Sequence, residues 1–257
     1  MAATAGASSS RWRDAATVVA WVQAPGGRVR VLMIERPATQ PGWPGQWVFP
    51  GGGVGDVDRR WAERHPGARV PALQPAPINQ KDFMRWAQPW FLRRLGYVPE
   101  DAWPAWDRDP IANRAAEAAA ARELWEEAGL WLGPAVDVPA VPRTERTAGA
   151  PRGPAEHLSV LRYWGRLATP PHEPRRFDCR FFGLDCSRAP WPAARGAPNE
   201  VQGLAWRDPD AVLHGEDLPL PTRYVLEHLR ALIAGPSPDD PMRSDDRGDA
   251  TRPNAHR

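Results

Sequence analysis

The chain has 257 residues, a formal net charge of +2 and 25% charged residues. This near-balance, without a long run of like charge, argues against a nucleic-acid-binding surface. No apolar segment approaches the length of a membrane span, and two cysteines in a chain of this size are expected to be free and reduced.

Both ends of the chain have compositions that are typical of disorder. Residues 1–13 are rich in alanine and serine and lack the apolar centre of a secretory signal, which favours a disordered leader over a transit peptide. Residues 236–257 are polar and lack aromatic side chains. We therefore expect one folded domain at 14–235, in a cytoplasmic protein.

The first elements of this domain are predicted to be strands. Two β-branched, apolar segments at 17–23 and 29–34 flank a Pro-Gly-Gly turn, which predicts a hairpin. A third apolar run at 46–49 stops abruptly at the Pro-Gly-Gly-Gly of 50–53.

A segment at about 58–110 has scattered prolines and isolated tryptophans, and we interpret it as a partly helical insert. Residues 83–95 are expected to form one amphipathic helix, interrupted or restarted at Pro89. The apolar side chains of this helix either line a substrate pocket or form a small satellite core; they are Trp86, Trp90, Phe91, Leu92 and Leu95.

The second half of the domain begins with the clearest helix, at 112–128, which is alanine-rich and stops at Gly129. Strands are then predicted at 158–167, 177–184 and 203–206, and helices at 209–214 and 222–234, the latter with Thr222 as N-cap. This mixture predicts an α/β (α+β) fold, a mixed β-sheet sandwiched between helices.

Three carboxylates share one face of the alanine-rich helix. Glu123, Glu126 and Glu127 are spaced i, i+3 and i+4, so a helix brings them together. Hard divalent cations such as Mg²⁺ prefer carboxylate oxygens and leave coordination positions open for phosphate. Arg122 precedes Glu126 by one helical turn and can hold that carboxylate in place. A solvated acidic face is the alternative interpretation.

The residues around this cluster match a known signature. The Nudix box reads G-x5-E-x7-R-E-U-x-E-E-x-G-U, where U is a bulky aliphatic residue. Its second half is matched by Arg122, Glu123, Leu124, Glu126, Glu127, Gly129 and Leu130, and its beginning resembles Pro50-Gly51-Gly52. The chain therefore resembles the Nudix hydrolases from about Ala15 to Ala234, which implies the Nudix fold and hydrolysis of a phosphoanhydride bond.

Two features depart from the box. Gly52 and Arg122 are 70 positions apart, so a long insert lies within the motif. Counted back from Arg122, the first box glutamate is replaced by Arg114, while Glu117 is nearby but out of register. In the family this first glutamate usually has a supporting role, so the departure puts the fine positioning of the metal ligands in question.

An insert at this place resembles the subgroup of the peroxisomal coenzyme A diphosphatase. The segments at 176–182 and 218–222, and Glu200 before Trp206, are similar to parts of that subgroup. The resemblance implies coenzyme A or acyl-coenzyme A as substrate, with 3′,5′-ADP and phosphopantetheine as products. Hydrolysis of ADP-ribose or a dinucleotide, and a Nudix-fold sensor that binds such a ligand without cutting it, are the alternatives.

The resemblance also implies a cofactor and roles for particular residues. Mg²⁺ or Mn²⁺ would be bound by Glu126 and Glu127, with the carbonyl of Gly51 or Gly52 as a further ligand and Glu123 as a third carboxylate ligand or the general base.

Other site residues are expected outside the box. Glu200 is the leading candidate for an outside base, followed by Asp178, Glu173 and Glu145. Phosphate contacts are expected from three arginines, Arg36, Arg175 and Arg176. The expected partner is a small nucleoside-diphosphate derivative, without nucleic acid or membrane, in a protein that could form a homodimer as many family members do.

Overall fold

A computed structural model describes residues 12–24, 26–64, 78–94, 110–130, 161–171, 173, 175–187 and 201–234. For 88–94 and 110 it describes the backbone alone. The expected tail lies outside these ranges, as does the expected leader except for Trp12 and Arg13. The indole Nε1 of Trp12 donates to the carbonyl of Thr169 (2.9 Å), and Arg13 is the first residue of a strand.

The described residues form both strands and helices, as predicted. The strands are β1 (Arg13–Gln23), β2 (Val29–Glu35), β3 (Trp47–Val48), β4 (Gly51–Gly53), β5 (Arg162–Ala168), β6 (Phe177–Asp185) and β7 (Gly203–Arg207). The helices are α1 (Asp56–Arg64), α2 (Gln80–Arg94), α3 (Pro110–Ala128), α4 (Pro209–Gly215) and α5 (Leu220–Ala234). Each predicted element is confirmed with shifted ends, whereas β4 and α1 were not predicted.

The strands form one mixed, seven-stranded sheet with a fork in it. β6 runs parallel to β1 along one edge from Arg13 to Trp21, so β2 and β4 must share the other edge of β1. β7 likewise occupies one edge of β2, and β1 and β3 share the opposite edge. The short β3 and β4 therefore fill the opening between β1 and β2, and the connection between them reaches β1 through the hydrogen bond from Val18 N to Pro50 O (2.8 Å).

Helices cover both faces of this sheet. Alternate residues of β1 point to opposite sides, since Val18 and Ala20 pack with α3 while Val19 and Trp21 pack with α2 and α5. Trp21 also stacks on Trp164, with ring centroids 5.2 Å apart. The predicted mixed sheet between helices is thereby confirmed.

Alanine allows α3 to pack closely on two neighbours at once. Ala116, Ala119 and Ala120 face the sheet, whereas Ala115 and Ala118 contact Trp61 and Ala62 of α1. The helix ends at Gly129, whose φ of +65° suits glycine, and Leu130 N donates back to Leu124 O (3.4 Å). This ending fixes where the last turn of α3, with its carboxylates, stops.

The N-cap prediction for Thr222 was wrong, and the question whether α2 is interrupted at Pro89 is answered by the structure. Helix α5 begins at Leu220, so Thr222 is a buried residue of its first turn and not the N-cap. Pro221 is tolerated there because the first turn of a helix leaves its N–H groups unpaired anyway. Helix α2 runs through Pro89 as one helix, without the interruption considered for it.

The two cysteines are free, as expected. Burial raises the pKa of both Cys179 and Cys186 to about 12, which makes a thiolate nucleophile unfavourable at either position. Among the described residues, no helix combines the length and apolar character that a membrane span requires.

Candidate active site

An open cleft of about 440 Å³ lies where the C-terminal half of α3 meets β4 and the loop that follows β2. Its lining residues are Arg36, Gln40, Pro41, Gly51, Gly52, Arg122, Glu123, Glu126 and Glu127. The helical spacing of the three glutamates therefore does place them on one face, as expected from the sequence. That face looks into a cleft and does not form a fully solvated helix surface.

The glycines of β4 allow the helix and the sheet to approach each other closely. Gly51 N donates to Glu127 Oε2 (2.8 Å), which ties the strand to the buried end of the carboxylate cluster. A Cβ atom at Gly52 would overlap the Glu123 carboxylate, and one at Gly51 would overlap the backbone of β1. At Gly51 only glycine fits, because backbone already occupies the space of a side chain, whereas a side chain at Gly52 would displace the Glu123 carboxylate.

Arg122 holds two of the three carboxylates together. Its Nη1 donates to Glu123 Oε1 (2.8 Å) and to Glu126 Oε2 (2.7 Å), and its Nη2 donates to Gly53 O (3.1 Å). The other side of the guanidinium faces Asp58 of α1, which accepts from Nε (3.2 Å) and Nη2 (3.1 Å). A single arginine thus joins the helix face, β4 and α1.

The charges around Arg122 favour its ionised form. Burial alone would lower the pKa of Arg122, but the hydrogen bond to Asp58 and the negative charges of Glu123, Asp58 and Glu126 outweigh it and raise that pKa. The positive charge of Arg122 in turn offsets the repulsion between carboxylates that lie this close together.

Arg36 adds a positive charge on another wall of the cleft. It is half-buried at the end of β2, and its Nε donates to Gly42 O (2.9 Å). The backbone N of the same residue donates to Gln46 O (3.1 Å), so the loop that follows β2 is closed at Arg36. The cleft therefore presents carboxylates from α3 and a guanidinium from this loop to the same space.

No protein-family model matches this chain. It is similar to a solved Nudix hydrolase from Alicyclobacillus acidocaldarius, at 25% identity over 85% of this chain and 91% of that one, with a TM-score of 0.53. This likeness, with the carboxylate helix and the glycine strand on one cleft, supports the Nudix superfamily. The chain has the Nudix fold.

Other solved structures are similar at lower identity. They include the Nudix domain of Shewanella oneidensis NrtR complexed with ADP ribose, at 12% identity over 87% of this chain and 89% of that one, with a TM-score of 0.45. A C. elegans Ap4A hydrolase binary complex is 14% identical over 86% of this chain and 98% of that one, with a TM-score of 0.43.

Asp58 is a site residue that the sequence analysis missed. It is fully buried, follows Gly52 at the spacing of the first acid in the Nudix box, and makes the paired hydrogen bonds to Arg122 described above. It also accepts from Gly55 N (2.9 Å), which caps the start of α1. Counting forward from Gly52, and not back from Arg122 to Arg114, would have found it.

Arg114 lies elsewhere and does not take the place of that acid. It is a buried residue of α3, and its guanidinium lies over the ring of Trp61 at 5.2 Å from the centroid. Helix α1, which carries Asp58, packs against α3 beside the cleft. The first half of the box therefore extends to Asp58, and the long separation between its two halves begins after that residue.

Other predicted site residues are not brought to the cleft. Arg175 is exposed, and Arg176 lies over the ring of Trp12 (4.6 Å), just before the beginnings of β6 and β1. Asp178 is buried and paired with Arg166, and Glu173 lies in the turn before β6. The cleft lining includes none of these residues. Glu200 and Glu145 lie outside the described residues.

The insert contributes to the core on the far side of the sheet. Phe83 and Ala87 of α2 are buried there, and Trp86 packs on Tyr224 while its Nε1 donates to Glu227 Oε2 (2.7 Å). Trp86 therefore packs on the large core of this face of the sheet, which is neither of the two roles considered for it, a substrate pocket or a small satellite core. The side chains of Trp90, Phe91, Leu92 and Leu95 lie outside the described set.

The carboxylates fit a divalent metal ion by their chemistry, and their present arrangement is stabilised by other partners. The cleft offers only oxygen donors beside its arginines, which suits Mg²⁺ or Mn²⁺. Within the described residues, however, no three His, Cys, Asp or Glu side chains are grouped closely enough to hold an ion. Glu123 and Glu126 are engaged by Arg122 and Glu127 by Gly51, so an ion would compete with these donors for oxygen.

Proposed function

We propose that this Nudix hydrolase depends on a divalent metal and splits the diphosphate bond of a small nucleoside-diphosphate-linked substrate. The observation that carries this proposal is the cleft itself, in which three carboxylates of α3 and the guanidinium of Arg36 face the same space. A diphosphate needs positive charge on its oxygens, and a metal held by carboxylates together with an arginine provides it.

Glu126 and Glu127 are proposed to hold Mg²⁺ or Mn²⁺, with Glu123 as third carboxylate and the carbonyl of Gly52 as a further ligand. When bound, such an ion neutralises the diphosphate, polarises the attacked phosphorus and lowers the pKa of a bound water. Arg122 keeps two of these carboxylates side by side. Glu127 has a second task, because its hydrogen bond to β4 sets the distance between the glycines and the helix.

The remaining roles fall to residues outside α3. Arg36 is proposed to contact a phosphate oxygen, since it lines the cleft and retains other guanidinium nitrogens beside the Nε bound to Gly42. Glu200 is proposed as the general base on sequence grounds alone. The hydrolysis adds water across the P–O–P bridge, and the base takes the proton that the attacking water loses.

Coenzyme A or acyl-coenzyme A is the proposed substrate. Its support is the long separation between Asp58 and Arg122, together with the short matches at 176–182 and 218–222 to the coenzyme A diphosphatase subgroup. The products would be 3′,5′-ADP and phosphopantetheine or its acylated form. Cleavage of ADP-ribose or a dinucleotide would use the same cleft and the same residues of α3.

A product assay by mass spectrometry tests the proposal. Purified protein with Mg²⁺ or Mn²⁺ is offered coenzyme A, acetyl-coenzyme A, ADP-ribose and NADH in parallel reactions. The Glu127→Gln variant is the control, with its fold checked by circular dichroism. We expect 3′,5′-ADP from the two coenzyme A substrates, with metal and wild-type protein only.

Each other outcome has a defined meaning. AMP from ADP-ribose or NADH would keep diphosphate hydrolysis and discard the coenzyme A substrate. Activity that persists in Glu127→Gln would contradict the proposed metal site. Tight binding of one of these ligands without any product would identify the protein as a sensor.

A further inference from the structure

The loop between β2 and β3, which contributes Arg36, Gln40 and Pro41 to the cleft lining, also carries an exposed tryptophan. Trp43 is 45% exposed, and at +54° it has the single positive φ of a non-glycine residue among the described residues. A bulky side chain in this backbone region is a conformational outlier, which other interactions must maintain. Pro44 adds a second constraint, because a residue before proline has a restricted backbone.

Hydrogen bonds hold the loop in this conformation. Arg36 closes its base in two directions, since Arg36 N donates to Gln46 O (3.1 Å) and Gly45 N donates to Arg36 O (3.0 Å). Gln46 N also donates to Trp43 O (3.3 Å). The Arg36 side chain fixes the tip through Gly42 O, and the side chain of Gln46 donates to Asp217 Oδ2 (2.8 Å). The tryptophan is therefore presented on a preorganised loop.

The same loop forms one wall of the cleft. Arg36, Gln40 and Pro41 line it, and Trp43 follows Pro41 after a single glycine. A diphosphate placed between the α3 carboxylates and Arg36 would have one of its substituents leaving along this wall. A flat aromatic group of that substituent would meet the exposed indole.

We propose that Trp43 is the stacking platform for the nucleobase of the substrate. The inference rests on the proposed function, since it assumes that a diphosphate occupies the cleft. Aromatic side chains bind bases through their π-faces with little preference for sequence or base type, and removing one lowers affinity by about tenfold to a hundredfold. A preformed loop adds to this effect because little conformational entropy is lost when the ligand binds.

Binding of two simple probes, ADP and inorganic diphosphate, separates the platform from the phosphate site. Affinities are measured by calorimetry for the wild-type protein, Trp43→Ala and Trp43→Phe, with Mg²⁺ present. We expect Trp43→Ala to bind ADP about tenfold more weakly and inorganic diphosphate as the wild type does. Trp43→Phe should retain most of the ADP affinity, since a phenyl ring can still stack.

Ile111→Ala is the matched control, because Ile111 is also 45% exposed but lies at the beginning of α3. It should change neither affinity. With a nucleotide substrate that is turned over, Trp43→Ala should raise KM by about tenfold and leave kcat unchanged.

Three results would overturn the platform in different ways. Equal ADP affinity in wild type and Trp43→Ala would show that the nucleobase does not stack on Trp43. The proposed diphosphate hydrolysis would not be affected by this result. Equal losses for both probes in Trp43→Ala would show that Trp43 supports the cleft and does not read the base. Absence of diphosphate binding to any variant, wild type included, would overturn the proposed function and the platform with it.

Discussion

The two halves of α3 treat their charged residues in opposite ways. At the C-terminal half, Arg122 is surrounded by carboxylates and donates to Glu123, Glu126 and Asp58. At the N-terminal half, Arg114 is only 4% exposed, and within the described structure none of its guanidinium nitrogens has a hydrogen-bond partner. Both halves are packed against α1, so proximity to that helix does not explain the difference.

The contrast separates the cleft end of α3, where charges are paired, from its N-terminal half, where charged side chains are buried. One oxygen of Glu117, also buried, likewise has no hydrogen-bond partner among the described residues, and burial raises the pKa of this residue to about 7 although the charge of Arg114 opposes that shift. Ionised groups in such surroundings destabilise a fold. The charges at the cleft are compensated by one another and are open to a ligand, whereas those at the other half are compensated only in part.

The largest expected effect tests whether this division is functional. Glu127→Gln keeps the shape of the side chain but removes the charge that faces the cleft, and we expect activity to fall by about a hundredfold to a thousandfold. Glu117→Gln is the matched change at the other half of the same helix, and it should leave kcat within about twofold. Steady-state kinetics with the substrate found by the product assay checks both variants.

A comparable loss of activity in the two variants would contradict the functional difference between the two halves of α3. A carboxylate far from the cleft would then affect catalysis as much as one that lines it. Circular dichroism and thermal melts exclude unfolding as the reason for either result.

The second effect is on stability and concerns Asp58, the carboxylate of α1 that binds Arg122. Asp58→Asn removes one charge of a buried pair, and we expect a loss of about 3 kcal/mol in the free energy of unfolding. Arg122 retains Glu123 and Glu126, so the loss should lie at the lower end for a broken buried pair. Urea denaturation measures it, and Asp56→Asn, an exposed change in the first turn of the same helix, should cost less than about 1 kcal/mol.

Equal stability of the Asp58→Asn and Asp56→Asn variants would show that Arg122 does not need the carboxylate from α1. In that case the paired hydrogen bonds between Asp58 and Arg122 would not be what joins α1 to the site.

Much of the fold could be predicted from side-chain patterns. The hairpin of β1 and β2 is marked by β-branched residues around a glycine turn, and α3 by alanines that end at Gly129. Strand β4 was missed because three glycines have no side-chain pattern, and its pairing follows only from the fork in the sheet. Helix α1 was missed because its nine residues are mostly charged and the few buried ones are visible only against α3.

The site was predictable where one helix supplies it. The spacing of Glu123, Glu126 and Glu127 is a local property, so the sequence places them together without knowledge of the fold. The contact between Asp58 and Arg122 joins residues far apart in the chain, and it depends on how α1 docks on α3. Arg36 was named from the sequence as a candidate phosphate contact, and the loop that follows β2 brings it to the cleft.

The smallest expected effect is a pH dependence that belongs to the buried half of α3. The pKa of Glu117 is raised from 4.5 to about 7 by burial, so the folded protein binds this proton more tightly than the unfolded chain does. By linkage, the contribution of Glu117 to stability falls as the pH rises from about 4.5 to 7 and is level above that range. A rigid site would lose ~3 kcal/mol over this window, and local relaxation should reduce the loss to about 2 kcal/mol.

Glu117→Gln isolates this contribution, because glutamine resembles the protonated carboxyl at every pH. The variant should be as stable as the wild type near pH 4.5 and more stable by about 2 kcal/mol at pH 8, as measured by urea denaturation across the range. Other titrating groups are the same in both proteins, so they cancel in the difference. A difference that stays constant with pH would mean that Glu117 keeps its ordinary pKa in the folded protein. Arg114 would then compensate the carboxylate fully, and the two halves of α3 would not differ in how well their charges are balanced.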